Sequence, residues 1–119
     1  MLKNQLYIIN KLQHEDQQVV ADIALNSDSE IFKGHFPDVA VLPGVSMMQM
    51  VKEILEEALD EQLKIDAAAQ LKYLQMVNPL DRRELLFEIA YERVEEQYKV
   101  KAVLFFEAEI IFKMSARLS

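Results

Sequence analysis

His35 and Gln49 are the side chains whose types and spacing point most directly to chemistry. They bracket the segment Gly-His-Phe-Pro-Asp-Val-Ala-Val-Leu-Pro-Gly-Val-Ser-Met-Met-Gln, residues 34 to 49, and His35 is one of only two histidines in 119 residues. An imidazole titrates nearest neutral pH, so it suits a reaction that must take a proton and return it. Pro43 and Gly44 end the loop and open a helix. The first N–H groups of a helix lack partners within it and lie at the positive end of its dipole, where they can polarise a carbonyl. A proton carrier and a helix start can therefore meet over one substrate. Gln49, fourteen residues after His35, carries an amide, which forms hydrogen bonds but does not donate and retrieve a proton as a carboxylic acid does.

This segment resembles the active site of the beta-hydroxyacyl-acyl carrier protein dehydratases, which have the hotdog fold. In that family His-Phe-Pro is followed by Pro-Gly and then by a carboxylate on the central helix. His35-Phe36-Pro37 and Pro43-Gly44-Val45 match, and the family carboxylate falls on Gln49. The family often has glycine after His-Phe-Pro, where this chain has Asp38, and commonly an amide one turn beyond its carboxylate, where this chain has Glu53. Acid and amide look exchanged.

The resemblance implies dehydration of 3-hydroxyacyl thioesters carried on acyl carrier protein to trans-2-enoyl thioesters, in fatty acid or specialised lipid or polyene synthesis. It gives His35 the C2 proton, the Gly44 backbone N–H the thioester carbonyl, and Gln49 the departing hydroxyl or a water. Phe36, Pro43, Val45 and Met48 would line the substrate site. It further implies a homodimer, or a larger assembly of dimers, in which His35 and Gln49 meet from different subunits. No cofactor or metal is implied. Two other readings keep the fold. One is an acyl thioesterase in which Gln49 orients a water; the other is an acyl-binding or partner subunit, with weakened catalysis, paired with an active homologue.

Composition narrows the field. With 51% apolar residues, the chain can build one core, and one domain over residues 1–119 is expected. No uncharged apolar run reaches the roughly 18 residues of a membrane span, and Met1-Leu2-Lys3-Asn4-Gln5 lacks the apolar region of a signal peptide, so a soluble cytoplasmic protein is expected. Zero cysteines exclude disulfides and thiolate chemistry, and His14 lies too far from His35 in sequence to suggest a histidine metal site. The net charge of −7 argues against nucleic acid as a partner. An acidic carrier protein would need a local basic patch, for which Lys33, Arg82 and Arg83 are the candidates. Methionines such as Met47, Met48 and Met50 suit an adaptable apolar tunnel or ordinary core.

The elements that must position these residues follow from periodicity. Leu6 to Leu12 and Val19 to Leu25 read as paired strands, with His14 in the polar connection. Val45 to Leu59 has helical spacing, with Met47, Met48, Val51, Ile54, Leu55, Ala58 and Leu59 on one face and Gln49, Lys52, Glu53, Glu56 and Asp60 on the other. After a polar, alanine-bearing connection come strands at Gln70 to Val77, Glu84 to Val94, Tyr98 to Phe106 and Glu109 to Leu118. Hairpin breaks are expected at Asn78-Pro79-Leu80-Asp81 and Glu95-Glu96-Gln97, and near Glu107-Ala108, which has no glycine to supply positive φ. The pattern is α+β: a curved antiparallel sheet of about six strands wrapped around one long helix, the hotdog arrangement.

Overall fold

A computed structural model describes residues 2–32, 42–80 and 82–119 of the chain. The elements run β1 (Tyr7–Glu15), β2 (Gln18–Leu25), a single 3-10 turn (Glu30–Phe32), α1 (Gly44–Leu59), β3 (Ile65–Tyr73), β4 (Glu84–Val94), β5 (Gln97–Phe106) and β6 (Glu109–Leu118). The six strands form one antiparallel sheet in the order β1-β2-β4-β5-β6-β3. Alternate residues turn to one face, as strand geometry requires. On that face Val19, Ala21 and Ile23, then Leu85, Phe87 and Ile89, then Val100, Ala102 and Leu104, then Phe112 and Met114 are all buried. Met47, Met50, Val51, Ile54 and Leu55 of α1 complete the same core. This is the hotdog arrangement, with the sheet curved around its helix.

Three details depart from the sequence expectations. First, β3 begins at Ile65, before Gln70, and ends at Tyr73, before Val77. Its three alanines, Ala67 to Ala69, are poor strand formers. The ladder to β6 holds them in place, with irregularities between Ile65 and Ala67 and between Ala68 and Gln70. Beyond Tyr73 the chain leans on β6 through Leu74 N–H to Ile111 O at 2.8 Å, and Val77 O accepts the N–H of Leu42 at 2.8 Å. The segment expected to continue the strand instead holds the approach to α1.

Second, Asn78 does turn the chain. Its side-chain oxygen accepts the N–H of Leu80 at 2.9 Å, and its carbonyl accepts that of Arg82 at 2.8 Å. The flanking strands are not a hairpin, however, because β5 and β6 lie between β4 and β3. Asp81 is outside the described residues.

Third, His14 is not a turn residue. It stands in β1 opposite Val19, with its Nε2 2.6 Å from the Tyr91 hydroxyl.

The hairpins β1–β2, β4–β5 and β5–β6 are closed by two-residue loops, Asp16-Gln17, Glu95-Glu96 and Glu107-Ala108. In each, the first loop residue is left-handed: φ is 54° at Asp16, 58° at Glu95 and 53° at Glu107. The left-handed conformation brings the Cβ against the carbonyl and costs about 1–2 kcal/mol, whereas glycine adopts it freely. Part of that gain is cancelled because glycine is also freer in the unfolded chain, by about 0.4–1 kcal/mol. Glu95→Gly and Glu107→Gly should each raise unfolding stability by roughly 0.5–1 kcal/mol, and additively, as measured by urea denaturation. No gain in either variant would show that the carboxylates compensate the backbone cost.

Candidate active site

Helix α1 starts at Gly44 behind Pro43, whose extended backbone (φ −65°, ψ 143°) places the turn without any side-chain cap. The first turn is tightened by the Ser46 N–H, which donates to Pro43 O at 3.0 Å. With no capping side chain, the amides of Gly44 and Val45 remain the positive end of the helix. Tyr73, at the end of β3, lies directly against this point. A methyl group added to Gly44 would come within 2.6 Å of Tyr73 Cε1 and 2.8 Å of its Cζ, far inside van der Waals contact. Any larger residue at 44 would have to displace the Tyr73 ring, which is itself stacked on Phe112, centroids 5.2 Å apart. Tyr73 was not singled out from the sequence; the only available signal was a glycine at the opening of a helix.

Gln49 lies one and a half turns into the helix, half-buried. Its Nε2 donates to Glu53 Oε2 at 2.9 Å. Because an ionised carboxylate only accepts, this bond fixes the amide with nitrogen towards Glu53 and oxygen on the other branch. Gln49 thereby offers a carbonyl oxygen and one further N–H, and it can orient a hydroxyl or water without exchanging protons.

Glu53 was expected on the solvated face of the helix, and here the structure corrects the sequence reading. Its side chain is 1% exposed. Besides Gln49, it accepts Leu2 N–H at 2.9 Å, Lys3 N–H at 2.8 Å and the Tyr7 hydroxyl at 3.1 Å. The N-terminal segment folds back over the helix and is pinned to this carboxylate, with Lys3 Nζ also 2.8 Å from Glu57. Burial is the largest influence on the Glu53 carboxyl and pushes its pKa up. The donors from Leu2, Gln49, Lys3 and Tyr7 together outweigh it and leave the pKa lowered. Burial, and then the charge of Glu53, push the Tyr7 phenol far up, so it stays a proton-bearing donor. Glu53 is therefore a saturated acceptor that holds structure rather than a second acid within reach of substrate. Helical periodicity cannot show this, because the partners that bury Glu53 are backbone groups some 50 residues away in sequence.

Among the other candidates, Met48 is half-buried against the core and Pro43 is half-buried, while Val45 is 70% exposed beside Gly44. Lys33, His35 and Phe36 lie outside the described residues. Arg82 is held by Gln75 and Glu109 and sits over the Phe106 ring, 5.1 Å from its centroid. Arg83 Nε donates to Leu25 O at 3.1 Å. Both arginines tie loops to the sheet. Gly44, Tyr73, Gln49 and Glu53 are what the structure brings together at and behind the helix start.

A family model described as ApeI dehydratase matches residues 11–109, a span that runs from within β1 to the start of β6 and includes α1 and the whole 34–49 segment. The chain belongs to the ApeI-like dehydratase family. Solved structures with the same hotdog fold accompany the match. The dehydratase heterocomplex ApeI:P from Xenorhabdus doucetiae superposes with a TM-score of 0.76 at 18% identity, covering 93% of this chain and 96% of that one. An uncharacterized protein from Erwinia carotovora subsp. atroseptica gives 0.71 at 16% identity over 94% and 92%. A sigma28-regulated virulence protein from Campylobacter jejuni gives 0.69 at 9% identity over 91% and 80%. No curated protein sequence matches this ApeI-like chain.

Two outcomes are expected from this geometry. The folded pKa of Glu53 lies below the ordinary 4.5, so its contribution to stability is fully present above that pH and is lost as pH falls through the folded value. Replacing it removes acceptors from several buried donors, each charged hydrogen bond being worth about 1.5–3 kcal/mol. Glu53→Gln should therefore lower stability at pH 7 by about 2–4 kcal/mol and flatten the decline between pH 5 and pH 3, as read by urea melts across that range. An unchanged acid limb would place the pH sensitivity elsewhere. Gly44→Ala should destabilise by about 1–3 kcal/mol through overpacking, and most of that loss should vanish in a Tyr73→Ala background. Additive losses in that double-mutant cycle would show that the Tyr73 ring is not what the glycine accommodates.

Proposed function

We propose that this ApeI-like chain dehydrates 3-hydroxyacyl thioesters presented by an acyl carrier protein, in fatty acid or specialised lipid or polyene synthesis. The reading is carried by one observation: the Gln49–Glu53 pair, with its amide orientation fixed, stands beyond an uncapped helix start in a chain of a dehydratase family. His35 takes the C2 proton and the Gly44 amide receives the negative charge growing on the thioester oxygen. Gln49 holds the departing hydroxyl, while the proton that it cannot supply returns from His35. Loss of one general acid costs about 10²- to 10⁴-fold, so the exchange of acid for amide gives a slower enzyme.

The site is shared between two subunits in this proposal. Val45 beside Gly44, and Tyr73, Leu74 and Met76 at and beyond the end of β3, are 70, 48, 53 and 67% exposed, and among the described residues β3 is an edge strand of the sheet. Such an apolar patch beside a sheet edge suits a second chain. A partner-subunit reading is favoured by the neighbour described as a dehydratase heterocomplex; in that reading this chain, with its Gln49, serves beside an active homologue.

The test is an assay of the purified protein with 3-hydroxybutyryl and crotonyl thioesters, scoring dehydration, hydration and free thiol together. His35→Ala should abolish turnover. Gln49→Glu should raise it about 10²-fold, because the introduced carboxyl, beside the ionised Glu53, would keep its proton at neutral pH as a general acid requires. Mixing His35→Ala with Gln49→Ala subunits should restore about a quarter of the natural rate, since random twofold assembly returns one intact site in half of the dimers. Thiol release that falls in Gln49→Glu would favour the thioesterase. Acyl binding with no turnover in any variant would favour the partner subunit.

A further inference from the structure

The acidic balance of the chain conceals a strongly basic surface. On the face turned away from α1, Lys99 of β5 is directly opposite Arg117 of β6, and Lys113 of β6 is directly opposite Lys72 of β3. Lys101 stands between them, opposite Ser115. All five side chains are exposed, and among the described residues none of them takes an ion pair. Like charges directly across an antiparallel ladder destabilise it. This sheet carries two such pairs side by side, in a chain whose 13 Lys and Arg are outnumbered by 20 Asp and Glu. Lysine on an edge strand such as β3 blocks aggregation, which accounts for Lys72 but not for the four cations on the interior strands β5 and β6. A shallow groove of about 280 Å³ runs among Lys72, Lys101 and Lys113.

On the neighbouring strand β4, Glu92 continues the row of Lys99 and Arg117 and Glu88 continues the row of Lys113 and Lys72, while Glu84 of β4 and Asp22 of β2 lie in the rows beyond. A long polyanion or a broad anionic surface laid across the sheet would run onto these carboxylates. Three strands spaced about 4.8 Å apart span about 10 Å, and three alternate residues span about 14 Å. A single α-helix, about 10–12 Å across, covers that footprint.

We propose that the outer face of β5, β6 and β3 docks a carboxylate-rich helix of the acidic carrier protein, replacing the placement at Lys33, Arg82 and Arg83; the inference rests on the carrier-dependent reading above. The carboxylates of the helix lie over the two like-charge pairs and neutralise a repulsion that the free protein carries. Glu88 and Glu92 of β4 fix its position by repelling any shift across the sheet towards β4.

The test measures binding of a purified acyl carrier protein to the full chain by fluorescence anisotropy at low and high salt. Lys72→Glu/Lys113→Glu/Arg117→Glu should weaken binding at least tenfold at low salt and flatten its salt dependence. Lys113→Glu alone should weaken binding more than Lys11→Glu, which makes the same change in net charge at the far edge of the same face. Equal affinity in the triple variant and the natural protein, or equal effects of Lys113→Glu and Lys11→Glu, would overturn the proposal. So would natural protein that binds phosphatidylglycerol vesicles and no carrier protein. Turnover of a small diffusible 3-hydroxyacyl thioester, followed in parallel, should be the same in the triple variant. A chain that binds carrier through this face but dehydrates nothing would leave the docking surface standing and remove the dehydratase reading.

Discussion

The single long helix cannot exist on its own terms: Met47, Met50, Val51, Ile54 and Leu55 must be removed from water, and only the sheet can do so. Burying five such side chains is worth roughly 10 kcal/mol, comparable to the whole stability of a domain of this size. The strand order, the inward rows of β2, β4, β5 and β6, and the curvature of the sheet all answer to that requirement. The position of the candidate site follows as well. A helix enclosed on its apolar side presents its N-terminus and its first polar turn at the rim of the sheet, where Tyr73 and the chain around Val77 meet it.

On the polar side of α1 the decisive group is Glu53. A buried carboxylate with several donors is a strong local organiser, because each donor left without it would be buried and unsatisfied. It fixes the N-terminal segment at Leu2 and Lys3 and fixes the amide of Gln49. Where the dehydratases that the segment resembles commonly carry an acid and then an amide, this chain carries Gln49 and then Glu53, joined by a hydrogen bond. The acid, at position 53, is the group that ties the helix to the N-terminal segment.

Much of this was legible in the sequence. Alternation located β4, β5 and β6 within a residue at each end, because each has one buried and one exposed face. Pro43 and Gly44, followed by helical spacing from Val45, pointed to the helix start. What escaped were features decided at long range. The alanines of β3 have no strand preference of their own and are held by β6. Glu53 looks solvated on a helical wheel because the groups that bury it come from the N-terminus. Asn78 looks like a hairpin turn because local turn chemistry does not disclose which strands pair. Glu107 adopts the left-handed backbone without glycine, since strand pairing on both sides compels it. The basic face was hidden because alternate residues of three strands come together only through the register of the sheet.

The pairings also divide the chain by how its ends are brought together. From Glu84 to Leu118, β4, β5 and β6 pair through two-residue loops, so this meander forms from local contacts. β2 reaches β4 across the whole of α1, and β3 reaches β6 across the intervening meander. Non-local closures forfeit chain entropy before any contact rewards them, and they are slow. The helix start and Tyr73 belong to these late closures. A ribosome must therefore have released β6 before the rim at Gly44 and Tyr73 can exist, and chains synthesised only part-way would present an incomplete sheet with an open edge to their surroundings.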